Sequence, residues 1–575
     1  MRQRLSNRYL MMAGILVILA IILSPVPTAA MPPHPDALAG TSGPAAKAML
    51  NSQKAWTDRG IDQPSTLLTP HKVATLGTFK ALAVLIDFSD QPQRTAAFDF
   101  DTLLFADRRG TVRDYYRRMS FDRLDIVTVN LPSTIGWTRA PQTYEYYVDG
   151  KCGTGTYPHN TQRLCLDIID LIDPIVDFSQ YDNTGNGYVD ALILIHTGSG
   201  AEKTMSRDDI WSHKWALPSA RKRDGINILE YTIQPEYWYH PGDMTCGVYC
   251  HELGHVFGLP DLYDRDSPPD NSYGIGRWSI MSYGSWLGPQ SLGGCPAGLD
   301  AWSRIQLGFN SSINVTANRA AVNLGAMING GPIYRLWAGG SQGHEYFLVT
   351  NRRRTGYDSY LPGEGLLIWH IDDTKAGEHN SNNDDEYYPG YTKAGNYLVA
   401  LEQADGYFQL EKGLGMGDDG DPFPGHRRRT AFGPRTRPSS DAYGGDNSGV
   451  SVTAISEPGD IMTADFTVSL SSDFEPMQPA EVPATFTLEQ NYPNPFNPET
   501  IIAFNLEITS HVRLAVFDML GRQIKNLGDG VYPAGEIRLR WDGTDGAGCP
   551  VASGVYLYEL VTESGTDTKK MILMR

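Results

Sequence analysis

The 575-residue chain has little positive charge, few cysteines and, after its first thirty residues, no long apolar run. Its 48 Lys and Arg residues are outnumbered by 66 Asp and Glu residues, which gives a formal net charge of −18. A general nucleic-acid or anionic-membrane binder needs a basic surface that this chain lacks. No segment after the amino terminus is apolar enough to span a bilayer. The composition therefore excludes nucleic acid as a partner.

The six cysteines include no Cys-x-x-Cys pair. In an exported protein, Cys152 and Cys165 could close a short loop, and Cys295 could bridge to Cys246 or Cys250. The spacing alone does not decide the pairing.

The amino terminus has the features of a secretory signal. Three arginines precede an apolar run from Met11 to Leu23, and Thr28-Ala29-Ala30 offers small residues for cleavage. An uncleaved membrane anchor is the alternative. We predict that residues 1–30 are a signal peptide and that the protein is secreted or on the surface of a bacterial cell.

Residues 31–75 are rich in Pro, Ala, Ser and Thr and have weak periodicity. This composition is typical of a linker or of a pro-segment that keeps a secreted enzyme latent. The side chain of Asp36 or Asp58 could then block the active site.

The chemistry of the chain is concentrated in Cys250–Asp264, CHELGHVFGLPDLYD. His251 and His255 are four residues apart, so on a helix they lie on one face, ~5–6 Å apart. Two imidazoles at that spacing can bind one zinc ion. Glu252 follows the first histidine and can act as the general base for a metal-activated water.

Two further residues extend this motif. Gly258 can adopt the left-handed conformation that ends many helices. The chain then returns, so that Asp261 is the predicted third zinc ligand and Asp264 the reserve. No glutamate occurs between Glu252 and Glu345, which argues against a glutamate ligand from a following helix.

A second motif, residues 278–284 (WSIMSYG), resembles the Met-turn of metzincin peptidases. In that turn a methionine, here Met281, lies beneath the metal ligands. Tyr283 stands two residues later, where several metzincins carry a tyrosine that approaches the metal or the oxyanion.

An acidic turn precedes the active-site motif. Its side chains resemble the first nine positions of a calcium loop, but isoleucine occupies the twelfth position, where a glutamate is expected. The alternative is a polar turn before a strand. The candidate calcium ligands are Asp182, Thr184, Asn186, Tyr188 and Asp190.

Two acidic loops later in the chain, residues 372–386 and 417–421, are either further calcium sites or solvated loops.

The pattern of apolar runs predicts a multi-domain protein. An α+β zincin-type catalytic domain is expected at 76–309 and a β-sandwich at 310–470, where short strands alternate with Gly, Asn and Asp. A linker is expected at 471–484, followed by a small immunoglobulin-like β-sandwich at 485–575.

With these motifs in place, residues 79–470 resemble the immune inhibitor A-like metallopeptidases. The matching stretches are HELGHVFGLPDLYD, SIMSYG, YDNTGNGYVDALILIHTG and GLLIWHID. The resemblance implies a secreted zinc endopeptidase with calcium-stabilised structure. It also implies His251, His255 and Asp261 as ligands and Glu252 as general base.

The carboxy-terminal stretch is similar to type IX secretion sorting domains and to the flagellar-hook-capping immunoglobulin-like fold. NYPNPFNP and SGVYLYELVTESGTDTKKMILM carry that likeness. It implies delivery by secretion machinery or attachment to the cell surface.

The expected function is zinc-dependent hydrolysis of peptide bonds in extracellular proteins. A zinc amidase acting on cell-wall amides and an adhesin with a vestigial metal site are the alternatives.

Overall fold

The computed structural model describes residues 31–36, 75–264, 272–340, 342–376, 396–468, 486–506, 509–518, 522–562 and 565–574. The predicted signal peptide, most of the predicted pro-segment and the predicted linker lie outside these residues. The chain divides into two compact units, Met1–Leu470 and Ser471–Arg575. Within the described ranges, no helix has the length and apolar character needed to cross a membrane.

The segment up to residue 310 is α+β, as predicted. Its strands are β1 (Gly77–Lys80), β2 (Leu82–Asp87), β3 (Leu124–Val127), β4 (Trp137–Arg139), β5 (Leu192–His196), β6 (His213–Arg223) and β7 (Ile226–Pro235). Its helices are α1 (Ala97–Phe105), α2 (Val112–Met119), α3 (Pro132–Ile135), α4 (Tyr144–Val148), α5 (Thr161–Ile172), α6 (Ala201–Thr204), α7 (Cys246–Val256) and α8 (Ala301–Gln306). Short 3₁₀ turns occupy Phe178–Tyr181, Gly276–Trp278, Tyr283–Trp286 and Pro289–Ser291.

Five of these strands form one sheet in the order β4–β2–β5–β7–β6. The pairs β2–β4, β2–β5 and β5–β7 are parallel, whereas β6 joins β7 antiparallel. Every residue of β2 and β5 is buried, as expected for parallel strands covered on both faces. Strand β5 therefore lies in the middle of the sheet, and β6 forms an edge.

Helix α7 is unusual because all eleven of its residues are buried. A helix that is enclosed on every side must satisfy its polar side chains internally. The hydroxyl of Tyr116 on α2 donates to the carbonyl oxygen of Cys250 at 2.6 Å. Helix α2 thus supports the back of α7.

The next part of the same unit is β-rich. Its strands are β8 (Ser312–Val315), β9 (Arg319–Gly325), β10 (Ile333–Trp337), β11 (Glu345–Arg352), β12 (Gly365–Asp372), β13 (Val399–Leu401), β14 (Val450–Thr453) and β15 (Ile461–Val468). They form one sheet of order β13–β12–β11–β10–β8 and another of order β14–β15–β9. Apolar residues from both sheets share one core, which includes Leu336, Phe347, Ile368, Val452 and Phe466. Short 3₁₀ turns lie at Met327–Asn329, Ala338–Gly340, Gly356–Tyr360 and Asp373–Lys375.

The α+β and β-rich parts are packed together. Arg352 is fully buried, forms a bidentate ion pair with Asp358, and donates to the carbonyl oxygen of Trp278 at 3.2 Å. Through this side chain, the β-rich part fixes the chain just before Met281.

The carboxy-terminal unit contains only strands among its described residues. They are β16 (Phe486–Leu488), β17 (Thr500–Leu506), β18 (Ser510–Asp518), β19 (Gln523–Tyr532), β20 (Gly535–Trp541), β21 (Gly554–Thr562) and β22 (Gly565–Leu573). Two antiparallel sheets, β16–β17–β20 and β19–β18–β21–β22, enclose one core that includes Trp541.

The structure contradicts the suggested disulfides, because all six cysteines are free. The sulfur of Cys246 faces the carbonyl oxygen of Gly293, at 3.8 Å. The sulfur of Cys295 instead faces the 356–359 turn, 3.5 Å from the hydroxyl of Ser359. The sulfurs of Cys246 and Cys295 therefore contact polar groups that belong to different turns.

Candidate metal centre

Helix α7 presents His251 and His255 on one face, and the chain turns back directly after it. Gly258 has a φ of 94°, a left-handed conformation that a side chain would disfavour. The reversal brings the fully buried Asp261 back to the two imidazoles.

Three potential ligand atoms converge at this point. The Nε2 atoms of His251 and His255 are 3.2 Å apart, and Oδ1 of Asp261 lies 3.1 and 3.4 Å from them. Among the described residues, these three form the fully buried group of His, Cys, Asp or Glu side chains able to share one metal ion. Two imidazoles and one carboxylate are a donor set that suits zinc.

The other nitrogen of each imidazole is held by the backbone. Nδ1 of His251 lies 2.7 Å from the carbonyl oxygen of Ile280, and Nδ1 of His255 lies 2.8 Å from that of Leu259. A carbonyl oxygen only accepts, so each Nδ1 carries the proton and each Nε2 keeps its lone pair. This arrangement is the usual outer support of a zinc-binding histidine. The residues present therefore fit the ion.

The charges of the site reinforce that fit. Burial alone would raise the pKa of Asp261, but the facing His255 and His251 side chains hold it well below its usual range. Burial lowers the pKa of His255, with opposition from Asp261. Asp261 is thus charged and His255 neutral, the forms that ligate metal.

Glu252 lies beside the converging atoms. It is fully buried, and among the described residues its carboxylate oxygens meet no polar group in good hydrogen-bond geometry, although the Met31 backbone amide is close enough to act on it. Burial raises its pKa strongly, followed by the charges of Asp261 and Glu202, whereas the Met31 amide and Lys214 oppose the rise. A buried carboxylate with unused oxygens is well suited to receive a proton.

Met281 lies directly beneath α7. A Cβ atom added at Gly254, in the middle of the motif, would be 2.5 Å from the Met281 sulfur. The backbone oxygen of Met281 also accepts from the amide of Leu262, at 2.8 Å, next to Asp261. The turn thus contacts both the helix and the returning chain that carries Asp261.

The remaining predicted site residues lie nearby. Tyr283 is buried and packs edge-on against Tyr263 and Tyr273, and burial raises the pKa of its hydroxyl well above the usual value. Asp264 accepts from the amide of Ser272 at 3.1 Å and does not belong to the three-residue group.

An element that the sequence reasoning did not place is the segment formed by residues 31–36, which passes the Glu252 side chain. Met31 and His34 are completely buried. The indole N–H groups of Trp211 and Trp286 donate to the carbonyl oxygens of Met31 and Pro32, at 2.8 and 2.9 Å. The sequence feature that could have indicated this segment is the proline-rich stretch directly after the predicted cleavage site, because prolines favour an extended chain.

The predicted role of Asp36 as a blocking side chain is not borne out. Its side chain is 74% exposed and lies 3.9 Å from Lys203, so it faces solvent and a lysine. Asp58 lies outside the described residues. The segment instead contacts Trp211 and Trp286 through its backbone carbonyl oxygens.

The candidate calcium turn uses its oxygens internally. The carboxylate of Asp182 accepts from the amides of Gly185, Asn186 and Gly187. Asp190 accepts from the amide of Asn183 at 2.6 Å, and burial raises its pKa to about 6. The side chain of Asn186 accepts from the amide of Tyr188 at 2.9 Å.

A second group of possible metal-binding side chains is exposed and lies in the later acidic loop. It consists of Asp418, Asp419 and His426. The other acidic loop lies largely outside the described residues, which end at 376 and resume at 396.

Comparison with known proteins agrees with this geometry. The family model for the immune inhibitor A peptidase M6 catalytic domain matches residues 71–310. Residues 71–310 are thus similar to the catalytic domains of M6 peptidases. A second family model, the secretion system C-terminal sorting domain, matches residues 490–574. The chain therefore combines a region similar to M6 peptidase catalytic domains with a region similar to secretion sorting domains, and the latter indicates a location outside the cell or at its surface.

Individual relatives match only in part. Pre-pro-metalloprotease PrtV of Vibrio cholerae serotype O1 is 28% identical over 297 residues, covering 41% of this chain and 31% of that protein. Immune inhibitor A of Bacillus thuringiensis subsp. alesti is 36% identical over 133 residues, covering 19% and 18%. The chain thus spans less than a third of the length of either relative.

A solved structure of FlgD from P. aeruginosa is 27% identical and covers 13% of this chain and 60% of that chain. Its TM-score of 0.12 is too low to indicate a shared fold.

Proposed function

We propose that the protein is a secreted zinc-dependent endopeptidase that hydrolyses peptide bonds in extracellular proteins. The observation that carries the proposal is the convergence of His251 Nε2, His255 Nε2 and Asp261 Oδ1 within 3.4 Å, beside the buried carboxylate of Glu252. These are three ligands and a base in the arrangement of a zinc hydrolase.

A bound zinc ion would lower the pKa of water toward ~7 and polarise the scissile carbonyl. His251, His255 and Asp261 would hold the ion, and their hydrogen bonds to backbone groups keep them oriented. Glu252 accepts the proton of the attacking water and passes it to the leaving amine. Tyr283 is the candidate donor to the oxyanion.

We further propose that the 31–36 segment keeps the protein latent. The Met31 amide donates to the carbonyl oxygen of Ser212 at 3.3 Å, directly before the edge strand β6. An extended substrate pairs with an exposed strand edge in the same way. A substrate and this segment therefore compete for one groove beside Glu252.

A zymogram on casein or gelatin, with and without chelator, tests the main proposal. A cleared band that chelator abolishes supports the peptidase. Clearing on cell-wall material alone would support the zinc amidase, and no clearing on any material would leave the adhesin. The intact set of Glu252 and three ligands argues against the adhesin.

We also propose the finer assignments made from sequence. Asp182, Thr184, Asn186, Tyr188 and Asp190 are the candidate calcium ligands, with Tyr188 contributing its backbone oxygen. The two pairs of facing sheets are assigned as a β-sandwich and an immunoglobulin-like sandwich. The second of these would engage secretion machinery or attach the protein to the cell surface.

A further inference from the structure

The 31–36 segment is bound through its main chain, as a peptide substrate would be. The amides of Met31 and His34 donate to the carbonyl oxygens of Ser212 and Glu202, the latter at 2.8 Å. The carbonyl oxygens of Met31 and Pro32 accept from two buried indoles, Trp211 and Trp286. Because these contacts use only main-chain atoms of the bound segment, any sequence that remains extended can make them.

In contrast, the side chain of His34 makes polar contacts with specific groups of the protein. Nε2 lies 2.8 Å from the carbonyl oxygen of Ser291, and Nδ1 lies 3.0 Å from Nζ of Lys203. A lysine ammonium only donates and a carbonyl only accepts. The imidazole is therefore neutral, with its proton on Nε2, and it supplies one donor and one acceptor.

The walls of this pocket are fixed. The ring of Trp286 packs edge-on against His34, with centroids 4.7 Å apart. Lys203 is only 5% exposed and lies over the ring of Tyr239, 4.3 Å from its centroid. Burial, followed by the charge of Lys203, lowers the pKa of His34 to about 4, in keeping with its neutral form.

We propose that this pocket is a specificity subsite that selects substrates whose neutral side chain presents both a donor and an acceptor, histidine or glutamine. The inference rests on the peptidase function proposed above. Lysine and arginine are repelled by Lys203, and a carboxylate offers no donor to the Ser291 carbonyl. An aliphatic side chain leaves both buried groups without a partner, which a site built for hydrogen bonding rejects strongly.

The test is the cleavage pattern of the purified secreted protein on a mixed peptide library, with the cut bonds identified by mass spectrometry. We expect one position, within about four residues of the cut bond, at which His and Gln are favoured over Lys and Arg by roughly tenfold. In Lys203→Glu the preference at that position moves to Lys and Arg, and in Lys203→Met it weakens. Lys222→Glu, an exposed lysine on the β6–β7 hairpin, serves as the matched control and keeps the wild-type pattern.

The wild-type pattern is informative even if the Lys203 variants fail to fold. Cleavage with no His or Gln preference at any position near the cut overturns the subsite and leaves the peptidase function intact. A preference that is unchanged in a folded Lys203→Glu protein also overturns it. Absence of cleavage both by the wild-type protein and by the form that begins at Thr78 would instead contradict the proposed function itself.

Discussion

Nδ1 of His251 lies 2.7 Å from the carbonyl oxygen of Ile280, so the first predicted ligand is bonded to the residue that precedes Met281. This one hydrogen bond joins the active-site helix to the Met-turn and aims Nε2 at the other two ligands. The 278–284 turn thus contacts the candidate metal centre through a backbone carbonyl as well as through the packing of Met281.

Replacing Glu252 by Gln should abolish cleavage but not metal binding. The amide keeps the size of the side chain and cannot accept the proton, so we expect kcat/KM to fall by at least ~10²–10⁴-fold. Zinc content, measured by mass spectrometry of the purified protein, should stay at the wild-type value. Glu457→Gln, at an exposed position, is the control. Undiminished cleavage by the Glu252 variant would contradict the assigned base.

The two candidate third ligands can be separated by paired substitutions. Asp261→Asn removes the charged oxygen nearest both histidines, and loss of a zinc ligand should weaken binding by orders of magnitude. Asp264→Asn changes a carboxylate that bonds a backbone amide and should retain zinc. Zinc titration with a competing chelator measures both, and the opposite ranking would reassign the ligand.

The latency proposal predicts that protein beginning at Thr78 is more active than protein beginning at Met31. The longer form carries a segment whose main chain fills the groove next to Glu252. The initial rates at which the two forms cleave a short quenched peptide measure this difference. A short peptide is used because its access to the protein is not limited at places other than this groove. Equal rates for the two forms, both verified as folded, would remove the inhibitory role.

Two glycines of α7 should differ in their tolerance of alanine. A Cβ at Gly247 would overlap the Ser285 carbonyl oxygen and lie 2.8 Å from the Gly293 backbone, neither of which can move freely. At Gly254 the obstacle is the flexible end of Met281. We expect Gly247→Ala to lower the unfolding temperature more than Gly254→Ala, while Gly254→Ala lowers activity. Thermal unfolding and peptide cleavage check the two effects separately, and equal unfolding temperatures would count against this packing.

Glu411 should make stability fall as the pH rises. Burial raises its pKa from 4.5 to about 8 in the folded protein. Between these values the unfolded chain has lost the proton that the folded chain keeps, so the free energy of unfolding decreases by up to about 1.4 kcal/mol per pH unit. Glu411→Gln removes this dependence and keeps a partner for Gln403, which hydrogen-bonds Glu411. Its unfolding temperature should therefore exceed the wild-type value at pH 8.5 by more than at pH 5. A constant difference between the two would contradict the assignment.

Much of the fold was predictable because its signals are local. Helix α2 spans Val112–Met119, and the apolar runs at 82–87 and 192–196 are strands. The spacing of His251 and His255 places them on one face of any helix. The turn at Gly258 follows from the freedom of a glycine to adopt positive φ.

The parts that could not be predicted depend on distant pairs. Trp286 bonds Pro32 across 254 positions, and Arg352 bonds Trp278 across 74. The periodicity of apolar residues along the sequence does not indicate such contacts. They depend on how sheets and loops pack against each other after they form. The suggested disulfides failed for the same reason, since sequence spacing does not indicate where Cys246 and Cys295 face.

The most direct test of the account is diffraction from zinc-loaded crystals at the zinc absorption edge. We predict one anomalous peak about 2.0–2.2 Å from His251 Nε2, His255 Nε2 and the nearer oxygen of Asp261. A site that remains empty at saturating zinc, or a peak only at the exposed group of Asp418, Asp419 and His426, would contradict it.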